Sequence, residues 1–247
     1  MNEIVQDGTL KFMQEKVLIL VPAFNEEESL GRVLNDLATL ELPTWKLFVC
    51  VINDGSVDRT AQIAEQFPIT LINLPVNLGV GGAIRSGYRY AHVNNFSRVV
   101  HFDADGQHSM QHIETILEHL GDNDLVIGSR YLDKNYYPAR FHVRTAQVIL
   151  SLLIKLFHGL KISDPTSGFR ASKGKLIEIY SKTYPVNFLS DTIGSTIQAK
   201  HHGFKISEIF TPMIERKYGK SSQGLLQRAK YFLLSATLII FWRDGGL

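Results

Sequence analysis

The chain has 247 residues, 45% of them hydrophobic, a formal net charge of +2 and a single cysteine. That length suits one large α/β domain or two small ones with a real core, and so slight a net charge gives no support to nucleic-acid binding. The lone cysteine, Cys50, lies in an apolar run, which excludes an intrachain disulfide framework and fits a reducing compartment.

Residues 1–14 are polar and mixed in charge, without the apolar core of a signal peptide. Lys16 to Val21 is an aliphatic run that reads as a buried strand, stopped by Pro22, which cannot donate to a sheet. Asn25-Glu26-Glu27-Glu28 reads as a helix start, with Asn25 as N-cap and Glu28 at the capping-box position; Leu30, Val33, Leu34 and Leu37 continue at helical spacing. Its glutamates suit the helix dipole but repel phosphate, so a nucleotide would meet this segment with its base or ribose. Lys46 to Ile52 is the second strand, and Asn53-Asp54-Gly55-Ser56 supplies a turn, with Ser56 as a cap, before a helix over Ala61 to Phe67. Ile69 to Asn73 is a third strand, followed by Asn77-Leu78-Gly79-Val80-Gly81-Gly82-Ala83-Ile84-Arg85-Ser86-Gly87. This run resembles a phosphate-cradling loop, yet it lacks the Gly-Lys-Ser/Thr ending and the dinucleotide spacing; close packing of helix on sheet explains its glycines equally well.

Arg98 to Phe102 is the fourth strand, and it ends on Asp103-Ala104-Asp105-Gly106-Gln107-His108. Two carboxylates crowded at a strand end are costly unless a positive group sits beside them. A hard divalent cation, Mg²⁺ or Mn²⁺, takes oxygen ligands and shares them with a substrate's phosphates; the plainer alternative is a turn whose acids cap the next helix. That helix covers Met110 to Leu120, and Leu125 to Gly128 is a fifth strand leading to Ser129-Arg130-Tyr131. Strands alternating with helices imply an α/β fold with an open, mostly parallel sheet, in which ligands bind outside the carboxyl ends of the strands. Asn25–Glu28, Asn53–Asp54 and Asp103–Asp105 all fall at such ends, which favours a binding role for the paired acids.

Beyond Pro138 the pattern changes. Gln147 to Phe157 is apolar nearly all round, a long helix either buried or pressed on a membrane, burial being the more usual outcome. Asp164-Pro165-Thr166-Ser167-Gly168-Phe169-Arg170 reads as a loop ending in a cation, Leu189 to His202 as a helix, and Lys205 to Thr211 as a sixth strand with the alternation of an edge. Glu215-Arg216-Lys217-Tyr218-Gly219-Lys220-Ser221-Ser222 is basic and hydroxyl-rich, suited to phosphate. The last helix contains an uncharged run from Tyr231 to Trp242, too short to span a bilayer but suited to an interfacial helix; a core element, or contact with a second copy of the chain, competes with that reading.

Taken in order over about four-fifths of the chain, these motifs resemble the family 2 glycosyltransferases, and within them the dolichyl- and polyprenyl-phosphate sugar synthases. The resemblance implies a GT-A fold over residues 16–222, preceded by an extension over 1–15 and followed by an apolar helix over 223–247. It implies that Pro22, Phe24, Glu26, Ile52 and Asp54 form the pocket for the nucleotide's base and ribose. Asp103 and Ala104 would line the donor site beside Asp105, and Asp105 and Gln107 would ligate Mg²⁺ or Mn²⁺. Arg130 and Arg216 would face the donor diphosphate or the acceptor phosphate, and Asp164 to Arg170 would help form the acceptor site. The partners implied are a UDP- or GDP-sugar and a polyprenyl phosphate, with the protein at the cytoplasmic face of a membrane; transfer to a hydroxyl acceptor and a non-catalytic sugar-nucleotide binder are the alternatives. A hydroxyl acceptor needs a carboxylate base, for which Asp191 is the first nominee and Asp164 the second. Asn53-Asp54 replaces the Asp-Asp common in these synthases, and membrane attachment is expected to be peripheral.

Overall fold

The structure, a computed structural model, describes residues 3–6, 9–12, 14–133, 141–186, 190–212 and 225–242. Strands β1 (Glu3–Gln6) and β2 (Thr9–Phe12) pair with each other as an antiparallel hairpin. The main sheet contains β3 (Glu15–Ala23), β4 (Trp45–Asn53), β5 (Thr70–Asn73), β6 (Arg98–His101), β7 (Leu125–Ser129), β8 (Arg170–Lys173) and β9 (Ile206–Phe210), in the order β5-β4-β3-β6-β8-β7-β9. β3, β4, β5 and β6 are mutually parallel, as is β9 with β7, while β8 runs antiparallel to both β6 and β7. The mostly parallel sheet and the edge position of β9 follow the sequence pattern. Val17 to Val21 are wholly buried because this central strand is covered on both faces, which is why it reads as an unbroken aliphatic run.

Helices α1 (Leu30–Ala38), α2 (Thr60–Ala64) and α4 (His112–His119) cover one face of the sheet, where Val17, Ile19, Val21, Val33, Ile113 and Leu117 form the core. The other face carries α3 (Gly79–Val93), α5 (Phe141–His158), α6 (Lys175–Thr183), α7 (Ser190–His201) and α8 (Leu225–Phe241) over a core with Leu18, Leu20, Tyr88, Leu176 and Ile197. Each fully buried aliphatic side chain here contributes about 1.5–3 kcal/mol. Two glycines of α3 answer to this packing. A Cβ on Gly87 would lie 2.0 Å from Leu20, and one on Gly81 would lie 2.4 Å from the carbonyl oxygen of Pro185.

Several local expectations are corrected. Asn25 is not an N-cap: it takes a left-handed φ of 54°, and α1 begins five residues later with Ser29 as its N-cap residue. The intervening turn is held by the backbone N–H groups of Ser29 and Leu30 on the Glu26 carbonyl, at 3.2 and 2.9 Å. Ser56 does not cap α2, because its hydroxyl accepts from the Asn25 N–H at 3.0 Å and Asp58 takes the Thr60 N–H at 2.9 Å instead. The segment after Phe169, for which the sequence suggests no element, is a buried strand followed by a helix, β8 and α6; the strand has a single apolar residue, while the helix buries Leu176, Ile177 and Tyr180 at helical spacing. Residues 147–157 are not wholly buried: Leu150 and Ile154 face the core, while Val148, Leu152 and Leu156 are 59–72% exposed. Helix α8 divides likewise, with Leu238 and Ile239 buried, as is Trp242 just beyond its end, and Leu233, Leu234 and Phe241 exposed.

Candidate active site

The carboxyl ends of β3, β4 and β6 open on one pocket of about 390 Å³. β3 and the turn after it supply Pro22, Ala23, Phe24 and Glu26; the end of β4 supplies Asp54; the start of α3 supplies Asn77, Gly79, Val80 and Ala83; and the turn after β6 supplies Asp103, Ala104 and Asp105. Three parallel strands ending side by side account for the convergence, since each must turn away at the same edge of the sheet. Phe24 is 46% exposed, an aromatic face on an otherwise acidic rim. Ile52 is the exception among the expected pocket residues. It is fully buried and belongs to the core beneath α3: it points to the same face of the sheet as Asp54 but lies two residues further inside β4, where the packing of α3 covers it, and only Asp54, just beyond the strand end, reaches the pocket.

Asp54 is anchored from below. Its Oδ1 accepts the Leu78 N–H at 2.7 Å; burial raises its carboxyl above the usual range, partly offset by hydrogen bonds from the Leu78 and Gly79 N–H groups. Asn53 turns away from the pocket, its amide donating to Asn73 at 2.8 Å and its Oδ1 accepting the Ser56 N–H at 3.1 Å.

Asp103 and Asp105 behave differently. The Asp105 Oδ1 accepts the Gln107 N–H at 3.0 Å, a local turn made sharp by Gly106 at φ 70°. Asp103 has its Oδ2 2.9 Å from His108 Nε2, and the backbone of Gly168 presses against the same carboxylate. Burial pushes the Asp103 carboxyl upward, but the His108 hydrogen bond and the charges of His108, His101 and Arg130 outweigh it and hold the group below the usual range. Asp105 and Gln107 offer a carboxylate and an amide carbonyl, both hard oxygen donors. Among the described residues no group of three or more His, Cys, Asp or Glu converges to hold a metal unaided. Two oxygen donors therefore fit an ion that completes its shell with water and substrate phosphates, as Mg²⁺ and Mn²⁺ do.

Arg130 extends from the end of β7 and is fixed by the loop before β8. Its Nε and Nη2 donate to the two carboxylate oxygens of Asp164 at 2.6 and 2.8 Å, and Nη2 also donates to Thr166 Oγ1 at 3.0 Å. Asp164 is fully buried, so the second nominee for a base is committed to an arginine. Behind it, Glu208 on β9 accepts from the Asp164 N–H at 2.9 Å and the Ser163 N–H at 2.7 Å. Burial raises the Glu208 carboxyl above its ordinary value. Arg170, 1% exposed, donates to the carbonyls of Ser167 and Thr192 and to the hydroxyls of Ser195 and Thr196, tying this loop to the first turn of α7. Asp191 lies at that turn, 8% exposed and outside the residues lining the pocket. Its carboxyl is raised, chiefly by burial, against the opposing charge of Arg170. Arg216, with the basic run 215–222, lies outside the described residues.

Sequence reasoning missed Asn77 on the pocket wall, His108 against Asp103 and Glu208 behind Asp164. The first two sat inside motifs already singled out; Glu208 is one acid in an alternating strand and carries no signal of its own.

The family model described as "Glycosyl transferase family 2" matches residues 18–179. The undecaprenyl-phosphate mannosyltransferase of Micrococcus luteus is 29% identical over 224 residues, covering 85% of this chain and 88% of that protein. The UDP-N-acetylglucosamine–dolichyl-phosphate N-acetylglucosaminyltransferase of Methanococcus voltae is 25% identical over 227 residues, covering 83% and 89%. Among solved structures, glucosyl-3-phosphoglycerate synthase from Mycobacterium tuberculosis, in complex with Mn²⁺, UDP and glucosyl-3-phosphoglycerate, superposes with a TM-score of 0.66 at 15% identity, covering 94% of this chain and 81% of that one.

Proposed function

The chain belongs to the glycosyl transferase family 2 and is a glycosyltransferase, and from that premise we propose that it moves a sugar from a nucleoside-diphosphate sugar to a polyprenyl phosphate, inverting the anomeric carbon. The observation that carries the donor half is the single pocket uniting Phe24, Glu26, Asp54, Asp103 and Asp105 at the strand ends. Phe24 offers a ring face to the base, and Glu26 and Asp54 offer acceptors to the base and ribose, since carboxylates beside a phosphate would repel it. The diphosphate then lies toward Asp105 and Gln107, which would hold Mg²⁺ or Mn²⁺. Such a cation supplies charge stabilisation for the departing diphosphate. Arg216 is assigned to the same leaving charge. Arg130 lies outside the residues lining the pocket but near enough for its charge to lower the Asp103 carboxyl. Its fork, already aligned by Asp164 and Thr166, presents a preorganised guanidinium toward that end of the pocket.

Both relatives named above act on polyprenyl or dolichyl phosphates, and a phosphate acceptor suits this site. The phosphate oxygen bonds to the anomeric carbon as the bond from that carbon to the diphosphate oxygen breaks. With a second pKa near about 6 the acceptor is already largely a dianion at neutral pH, so no proton has to be removed. Asp191, the nominated base, is buried and outside the pocket lining, as expected if the acceptor needs none. Apolar residues on the outer faces of α5 and α8, Leu152, Leu156, Leu233 and Phe241 among them, suit the interface of a membrane that holds such an acceptor. Among the described residues no helix is long and apolar enough to cross a membrane. On this reading residues 16–222 form the transferase domain and 223–247 the membrane-apposed helix, at the cytoplasmic face.

The test is turnover of Asp191→Asn with undecaprenyl phosphate as acceptor. Transfer within about threefold of the unsubstituted protein is expected. A loss of about 10²-fold or more, the range of general-base removal, would overturn the phosphate reading in favour of a hydroxyl acceptor.

A further inference from the structure

His108 closes the Asp103–His108 motif and has no part in the reading above. Its side chain is only 6% exposed, although it belongs to a turn at the mouth of the pocket. The ring stacks on Phe169 with centroids 5.2 Å apart and planes inclined by 25°, and it meets Phe102 edge-on at 6.0 Å. Its Nε2 lies 2.9 Å from Asp103 Oδ2. On another side of the same carboxylate, a Cβ at Gly168 would sit 2.7 Å from Oδ2 and 3.1 Å from Oδ1. An aspartate side chain has two rotatable bonds. Here one oxygen is tethered by a hydrogen bond and its surroundings are closed by backbone, so the carboxylate is held in one orientation while its side chain stays 34% exposed toward solvent.

We propose that His108 is a positioning residue: its Nε2–H, donating to Asp103 Oδ2, orients the carboxylate so that Oδ1 receives a hydroxyl of the transferred sugar. An ionised carboxylate only accepts hydrogen bonds, so the imidazole is the donor in this pair. The aromatic sandwich of Phe102 and Phe169 fixes the ring plane, and with it the direction of the N–H. This inference rests on the placing of Asp103 in the donor site. It adds that the sugar, as distinct from the nucleotide, is recognised through an indirect contact.

Two substitutions separate positioning from packing. His108→Phe keeps the stack on Phe169 and loses the donor, whereas His108→Gln loses the ring and retains an amide N–H that reaches for Asp103. The quantities to measure, on the full chain with Mn²⁺, are the affinities for UDP-glucose and GDP-mannose and for UDP and GDP alone; no acceptor is needed. For the sugar nucleotide that the unsubstituted protein binds, His108→Phe is expected to weaken binding about tenfold, the loss of one charge-assisted hydrogen bond, while the matching nucleotide alone binds unchanged. His108→Gln should recover most of the loss. In an Asp103→Asn background, His108→Phe should cost nothing further, since both changes remove one interaction. Equal weakening of sugar nucleotide and bare nucleotide, a worse result for Gln than for Phe, or a full additional loss in the Asp103→Asn background would each overturn the proposal. If the unsubstituted chain binds neither sugar nucleotide, the donor-site reading falls first and this inference with it.

Discussion

The side of the site proposed for the nucleotide and the side proposed for transfer are held together in contrasting ways. On the nucleotide side, the turn after β3 is tied to the turn after β4 by exposed and half-buried contacts: Asn25 to Ser56 at the surface, Glu26 to Thr60 and Glu27 to Asp58 beneath it, and an ion pair of Arg59 with Glu27 at 3.0 Å whose side chains are 78% and 35% exposed. On the transfer side, Arg130 and Asp164 pair at 2.6 Å with side chains 18% and 0% exposed, and Glu208 backs them from a third element. An exposed pair is worth about 0–1 kcal/mol, while breaking a buried one leaves a charge without its partner and costs about 3–5 kcal/mol. The nucleotide side can therefore rearrange around a ligand at little expense. The transfer side is prebuilt, and its geometry is inseparable from its stability.

Three experiments can break that contrast. The largest effect belongs to Asp164→Ala, expected to lower stability by about 3–5 kcal/mol in chemical denaturation and to abolish transfer, because Arg130 loses its alignment together with its counter-charge. Full stability with activity lost would mean that the pair serves catalysis alone. The next effect is on pH dependence. His101, buried beside Tyr88 at the end of β6 where the two sides meet, has its imidazole pushed down to about 3 from 6.5 by burial first and by the Arg170 charge second. Its unfolded form binds a proton more readily than its folded form. Stability is then complete above about pH 6.5 and is lost as pH falls from there toward 3, by at most about 1.4 kcal/mol per pH unit for this group. Denaturation midpoints of His101→Phe, which keeps a ring against Tyr88, should fall less steeply over that interval; an unchanged slope would remove His101 as a source of acid sensitivity. His158, also lowered chiefly by burial, leaves a residual slope of the same sign. The smallest effect is that of Glu27→Gln, which should change stability by less than about 1 kcal/mol. A loss as large as that of Asp164→Ala would erase the distinction between the two sides.

The same contrast governs what could be read from the sequence. The strands of the nucleotide side are continuous aliphatic runs ending at Pro22, at Asn53-Asp54 and at Asp103, and their order along the chain implies the parallel sheet that the structure shows. The pocket follows from strand ends alone. The transfer side depends on contacts between segments far apart in sequence. Strand β8 reads Arg170-Ala171-Ser172-Lys173, with one apolar residue, and it is a strand because β6 and β7 flank it. Glu208 lies 44 positions from Asp164, and no local pattern joins them. The start of α1 failed for a different reason. Asn25 satisfies the composition of a cap, but its left-handed backbone serves the contact with Ser56, and tertiary geometry overrode the local preference. Residues 147–157 misled in another way: an all-round apolar helix is usually buried, and this one leaves Val148, Leu152 and Leu156 uncovered.

The most direct measurement of the central claim is incorporation of label from a radiolabelled UDP- or GDP-sugar into undecaprenyl or dolichyl phosphate, with Mn²⁺ and with excess chelator in parallel. The account predicts a lipid product that is stable to base, labile to mild acid and of inverted anomeric configuration, formed only with the metal. Label transferred solely to a saccharide hydroxyl, or tight sugar-nucleotide binding with no transfer to any acceptor, would contradict it.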